Sequence, residues 1–171
     1  MRIVKLALVI MACVAPDSIA PAAGAAATLE KYYGVWIGRG VAVEEHGNRT
    51  LQAKRNFDVA IWGIETGFVI SWRNLSSPDA GRTTVRFAAA GEPETFEAKS
   101  TDPPLCAGQI YRAEIRADRL IVYRSDANDE RRTSYEYSLL GRGLKLKYTL
   151  SSGGELKESS TSRFYKAKVV M

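Results

Sequence analysis

The chain is poor in the residues that most often carry chemistry. It holds one histidine and two cysteines. Cys13 falls in the first stretch of the chain, which reads as a removable leader, so the mature part keeps Cys106 alone and no intramolecular disulfide can form within it. The fold must then rest on an apolar core. His46 sits in Glu44-Glu45-His46-Gly47-Asn48, at the tip of an expected hairpin, where Glu44 would share its strand face. Two such groups do not make a metal site, which needs three or four converging ligands and a supporting shell. A hairpin-tip imidazole is also badly placed as an axial haem ligand inside a barrel. Cys106, in Pro103-Pro104-Leu105-Cys106-Ala107-Gly108, has no base beside it in sequence. It reads as a small buried hydrophobe, with cross-linking to a partner as the other use of a lone thiol. The carboxylate pairs Glu44/Glu45, Glu92/Glu94 and Asp129/Glu130 all fall in turns and look like solubilising charge. No catalytic residue, metal or cofactor is expected, and the chain is not read as an enzyme.

Long apolar runs are missing too. The longest, Leu6 to Ala15, has ten residues, against the roughly 20 needed to cross a bilayer as a helix. It follows Arg2 and Lys5 and precedes a run of small residues, Ala20-Pro21-Ala22-Ala23-Gly24-Ala25-Ala26-Ala27. Basic start, short apolar middle and small-residue end are the three parts of a secretory signal. Residues 1–25 are therefore expected to be a signal peptide, cleaved near Gly24 or Ala25, and 28–171 a single domain without a membrane span. The location implied is periplasmic or extracellular. Ile10-Met11-Ala12-Cys13 resembles a lipobox only faintly, so lipid anchoring at Cys13 is the less favoured variant; an uncleaved anchor or a buried helix is the alternative use of the segment.

Charge of one sign is also scarce. Removing Arg2, Lys5 and Asp17 lowers the formal net charge from +5 to +4, and the charges are dispersed. Arg112, Arg116 and Arg119, and Lys145 with Lys147, look like solvated strand faces and not the basic stripe with interleaved aromatics that nucleic-acid binding shows. No Pro- or Ser-rich linker and no internal repeat divides the chain.

What the sequence does have is alternation. Phe57, Val59 and Ile61 share one face, as do Phe68, Ile70 and Trp72, then Val85, Phe87 and Ala89. Tyr111, Ala113 and Ile115 alternate with Arg112, Glu114 and Arg116; Tyr135, Tyr137 and Leu139 alternate with Ser134, Glu136 and Ser138; Leu144, Leu146, Tyr148 and Leu150 alternate with Lys145, Lys147 and Thr149. Period two marks half-buried strands. Turn-forming groups such as Gly91-Glu92-Pro93, Ala117-Asp118, Gly141-Arg142-Gly143 and Ser152-Gly153-Gly154 separate them. The pattern predicts an all-β fold, an antiparallel up-and-down meander of eight to ten strands closed into a barrel, since closure removes the exposed edges. A Greek-key sandwich would need a long crossover, for which Ser100 to Leu105 is the candidate. The one helical piece expected is a turn at Leu29-Glu30-Lys31-Tyr32-Tyr33.

The first strand opens with Gly34-Val35-Trp36-Ile37-Gly38. A Gly-x-Trp after a short helical turn resembles the first signature of the lipocalin-like (calycin) barrels, here of the exported bacterial kind. That resemblance implies that an Arg near the last strand, Arg163 in Thr161-Ser162-Arg163-Phe164-Tyr165, lies across the Trp36 ring and closes the barrel floor, a stacking that would gain a cation–π contact. The chain departs from the true lipocalins in lacking their mid-barrel loop motif and paired disulfide cysteines. The resemblance also implies a cavity for one small ligand. Trp72, Tyr111, Tyr137 and Tyr148 are the residues expected to line it, with hydroxyls offering polar contacts. The expected function is an exported binding protein for a small apolar or amphipathic ligand. The alternative is an interaction module, an inhibitor or scaffold with a filled barrel and a protein partner.

Overall fold

A computed structural model of the chain describes residues 28–46, 49–76, 81–106, 108–126 and 130–167. The segment read as a signal peptide lies outside them. Ten strands follow one another: β1 (Gly34–His46), β2 (Arg49–Ile64), β3 (Gly67–Asn74), β4 (Thr83–Ala89), β5 (Thr95–Asp102), β6 (Gln109–Arg116), β7 (Arg119–Asp126), β8 (Arg132–Leu140), β9 (Gly143–Ser152) and β10 (Glu155–Lys166). Each pairs antiparallel with the next, and β10 pairs with β1, so the meander closes into a barrel. The segment that a sandwich would have used as its crossover joins two neighbouring staves, β5 and β6. The architecture is the expected one, lipocalin-like in the coarse sense of a closed antiparallel meander.

Alternation decides which side chains fill it. On β9 Leu144 and Leu146 are buried while Lys147 is exposed; on β6 Tyr111, Ala113 and Ile115 are buried while Arg112 and Arg116 are not. The outward cations are held by acids on neighbouring positions: Arg112 lies 3.9 Å from Glu97, Arg116 3.0 Å from Glu114 and Arg119 2.8 Å from Glu136. β3 departs from the pattern, being buried on both faces from Gly67 to Ser71. Its outward Val69 stands in register between Trp62 and Arg86, and its outward Ser71 is bonded by Thr84 and Arg82.

The two ends of the barrel differ. The turns β2–β3, β4–β5, β6–β7 and β8–β9 share one end, as a meander requires, and the chain enters there through a helical turn at residues 28–30. Leu29 and Tyr32 are fully buried by this turn, each burial stabilising by about 1.5–3 kcal/mol. The Tyr32 hydroxyl lies 2.5 Å from the Asp118 carbonyl and 3.2 Å from that of Tyr137, and the Trp36 indole N–H donates to the Tyr32 carbonyl at 2.8 Å. Stacked Phe68 and Phe87, with Phe96 edge-on, fill the lumen above it. That end is plugged; the other carries no such turn among the described residues.

One seam of the barrel is short. β5 and β6 are paired only through Thr95, Phe96 and Glu97 opposite Glu114, Ala113 and Arg112. Toward the open end the two strands are unpaired, and Leu105 from their connection packs against the core.

Candidate functional site: an aromatic cup at the open end

Inward-facing positions near the open end are aromatic. Trp72 on β3 meets Tyr111 on β6 edge-on at 5.9 Å and Tyr135 on β8 at 5.5 Å, and Tyr135 meets Tyr148 on β9 at 5.4 Å. These rings do not fill the barrel. They border two adjoining lobes, of about 220 Å³ and 210 Å³, which share Tyr135 and Tyr148 as a common wall. Small-ligand pockets run from roughly 300 to 1,000 Å³, so the two lobes reach that range only when taken as one site. Tyr137, 1% exposed, forms part of the floor with Leu146. Phe57, Asn74 and Ser160 complete the first lobe.

A polar collar surrounds the rings. Leu120 and Val122 of β7 are buried, and the same parity turns Arg124 and Asp126 toward the lumen. Arg124 lines the second lobe and its charge acts on the Tyr111 hydroxyl, Gln109 donates to Asp126 at 3.1 Å, and Glu158 of β10 lines the first lobe with Ser160. Burial pushes the phenols of Tyr111, Tyr135 and Tyr137 upward. That of Tyr111 is raised by desolvation, with Arg124 pulling back. Tyr135 is raised by burial and by the neighbouring Tyr111 and Tyr148, and Tyr137 well above its ordinary value by burial and its phenol neighbours. At neutral pH these groups are hydrogen-bonding phenols and not phenolate bases.

Of the four residues expected to line a cavity, Trp72, Tyr137 and Tyr148 line the first lobe, whereas Tyr111 lines neither lobe and stands edge-on against Trp72. Tyr135 belongs at the centre of the set, and its shared parity with Tyr137 already carried that signal. Arg124, Gln109 and Glu158 were not anticipated.

The floor is closed differently from the expectation. Arg163 does not lie on Trp36. Phe164 and Ser162 point inward and are buried, so Arg163 between them points out and is exposed. Lys166, three residues on and of inward parity, stands directly opposite Trp36, with its ammonium 5.3 Å from the ring centroid. Gly34 explains the Gly-x-Trp spacing. Its φ is +144°, and a Cβ there would sit 2.5 Å from the Lys166 stem on its way to the ring. Cys106 is likewise not the buried hydrophobe expected; it is exposed, because the β5–β6 connection turns Leu105 inward in its place. The side chains of Glu44 and His46 lie outside the described residues. Among those described, no group of three or more His, Cys, Asp or Glu is placed to hold a metal ion, and no helix is long and apolar enough to cross a membrane.

No protein-family model matches the chain, and no curated protein matches it by sequence. A solved structure does match in fold: the S-type phycobiliprotein lyase CPES from Guillardia theta, with a TM-score of 0.58 over 84% of this chain and 92% of that one, at 10% identity. At that identity the likeness is one of architecture.

Proposed function

We propose that this chain is a binding protein which holds one small planar or amphipathic molecule in the aromatic cup. The observation that carries the reading is the ring set Trp72, Tyr111, Tyr135 and Tyr148, gathered around open volume and not packed into it. Aromatic faces suit a flat apolar body, and the collar of Arg124, Gln109, Asp126 and Glu158 suits a polar end that stays near solvent. The neighbouring fold is named a phycobiliprotein lyase; for this chain a carrier role is favoured over catalysis. The cup offers phenols raised above their ordinary range and, among the described residues, no nucleophile with a base oriented behind it.

The basic start, apolar run and small-residue stretch of residues 1–27 support export to the periplasm or the extracellular space. Native mass spectrometry of the secreted protein, purified without detergent, tests both points. The expected result is a chain cleaved near Gly24 or Ala25 that carries a mass excess lost on denaturation. As a ligand-free measurement of the site, anilinonaphthalene sulfonate should bind and quench Trp72. Tyr135→Ala should weaken that binding by about tenfold. Binding unchanged in Tyr135→Ala and Trp72→Ala alike would place the probe outside the cup and sink the reading.

A further inference from the structure

The outer wall across β1 and β10 is unlike the rest of the surface. Arg112, Arg116 and Arg119 each have an acid within 3.9 Å, but here cations face one another. Arg39 of β1 is in direct register with Arg163 of β10, and Arg163 with Lys145 of β9, which sets three cations in a row across three strands. None of the three makes an ion pair among the described residues. Directly opposed like charges in a sheet repel. Asp58 stands opposite Ile37 in register, but two arginines of its own occupy it: Arg73 at 3.0 Å and Arg82 at 2.9 Å.

Beside the row lies an apolar trough. Ile37 and Tyr165 are directly opposed across the β1–β10 ladder and are 51% and 72% exposed. With Leu75, Asn56, Arg39 and Arg163 they line a groove of about 820 Å³, larger than either lobe of the cup and on the opposite side of the wall.

We infer that this groove is a docking surface for an acidic, partly apolar segment of another protein, its carboxylates taken by Arg39 and Arg163 and its apolar side chains seated on Ile37 and Tyr165. Guanidinium groups bind carboxylates in a two-point fork, and the row supplies two such forks with no acid among the described residues to occupy them. A second copy of the chain set on the same patch by a two-fold axis would bring cation against cation. A flat lipid surface would meet the rims of the trough and leave its floor uncovered. The inference stands apart from the ligand reading, since Arg39 and Arg163 point away from the lumen.

Fluorescence anisotropy with a labelled synthetic peptide in which Glu alternates with Leu tests it on the mature protein. The peptide is expected to bind, more weakly as salt rises, and to lose at least about tenfold in affinity to the double variant Arg39→Glu/Arg163→Glu. Arg86→Glu/Lys99→Glu, on β4 and β5, changes net charge equally and should bind as the parent does; near-ultraviolet circular dichroism confirms that both variants fold. Failure of the parent to bind the peptide overturns the proposal, as does equal loss in the two double variants, which would reduce the effect to net charge. Co-sedimentation with phosphatidylglycerol vesicles in a protein that ignores the peptide would overturn it in favour of a lipid surface.

Discussion

Lys166 and Arg163 are three residues apart on one strand, yet only one of them reaches Trp36. Side-chain parity separates them: Lys166 shares the inward face with Phe164 and stands opposite the indole, whereas Arg163 looks outward. Lys166→Ala should therefore cost about 0.5–1 kcal/mol and shift the Trp36 emission. Arg163→Ala should leave the melting transition within about 0.5 kcal/mol of the parent. Equal effects would mean that the ring is held by something other than the ammonium. Crowding sets a second expectation, at Gly38, where a Cβ would stand 2.6 Å from the buried Phe164 ring and 2.4 Å from the Arg163 carbonyl. Gly38→Val is expected to destabilise by roughly 1–3 kcal/mol, measured by denaturant unfolding. The Gly-x-Trp pair was legible in sequence as a short pattern, although the Lys166 stem that requires the glycine comes from the far end of the chain. The identity of the cation depended on counting parity back from Phe164, and a resemblance to other barrels carried no such count.

At the scale of elements, turns and plug hold each other in place. The β6–β7 turn puts Ala117 at φ +48° and Asp118 at φ +58°, the left-handed pair a two-residue hairpin favours and an alanine resists. The plug supports that turn through the Tyr32 hydroxyl on the Asp118 carbonyl. Ala117→Asn should raise stability by about 0.5–1 kcal/mol, since asparagine accepts this backbone more readily. Tyr32→Phe should lower it by about 1–2 kcal/mol by stripping two carbonyls of a donor; thermal melts distinguish the two signs. The strands themselves were readable from alternation, β9 most plainly, because one face is wet and the other dry. β3 was not, since Val69 and Ser71 are covered on the outer face by neighbours from β2 and β4 and by Arg82, and that cover is a tertiary fact.

At the scale of the whole molecule, phenols held from water or bonded to acids tie stability to alkaline pH. Tyr123, bonded to Glu114, is pushed up to about 12, first by desolvation and then by that carboxylate. Tyr137 is raised well above its ordinary value by its burial. A phenol whose folded value lies above its ordinary value of 10.0 keeps its proton longer when folded. The stability this represents is complete below pH 10 and is lost as pH rises above it. Denaturant midpoints should be flat across neutral pH and fall beyond that point, with the phenolate absorbance of Tyr111, Tyr135 and Tyr137 appearing only together with unfolding; ionisation of every tyrosine before the barrel melts would contradict the burial of these three. The aromatic half of the cup was visible in sequence as a shared strand face. The collar was not, because an arginine turned into a barrel mouth, as Arg124 is, reads the same as one turned into solvent until the end of the barrel is known to be open. The short β5–β6 ladder has a consequence of its own. A closed hoop distributes strain around every stave, but a hoop with one half-fastened stave yields at that join first. Amide protons of Lys99 to Asp102 should exchange with deuterium ahead of their counterparts on β9 and β10, and the wall beside Tyr111 should breathe sideways while the plugged end stays rigid. A guest in the cup would then have a side door as well as the open mouth.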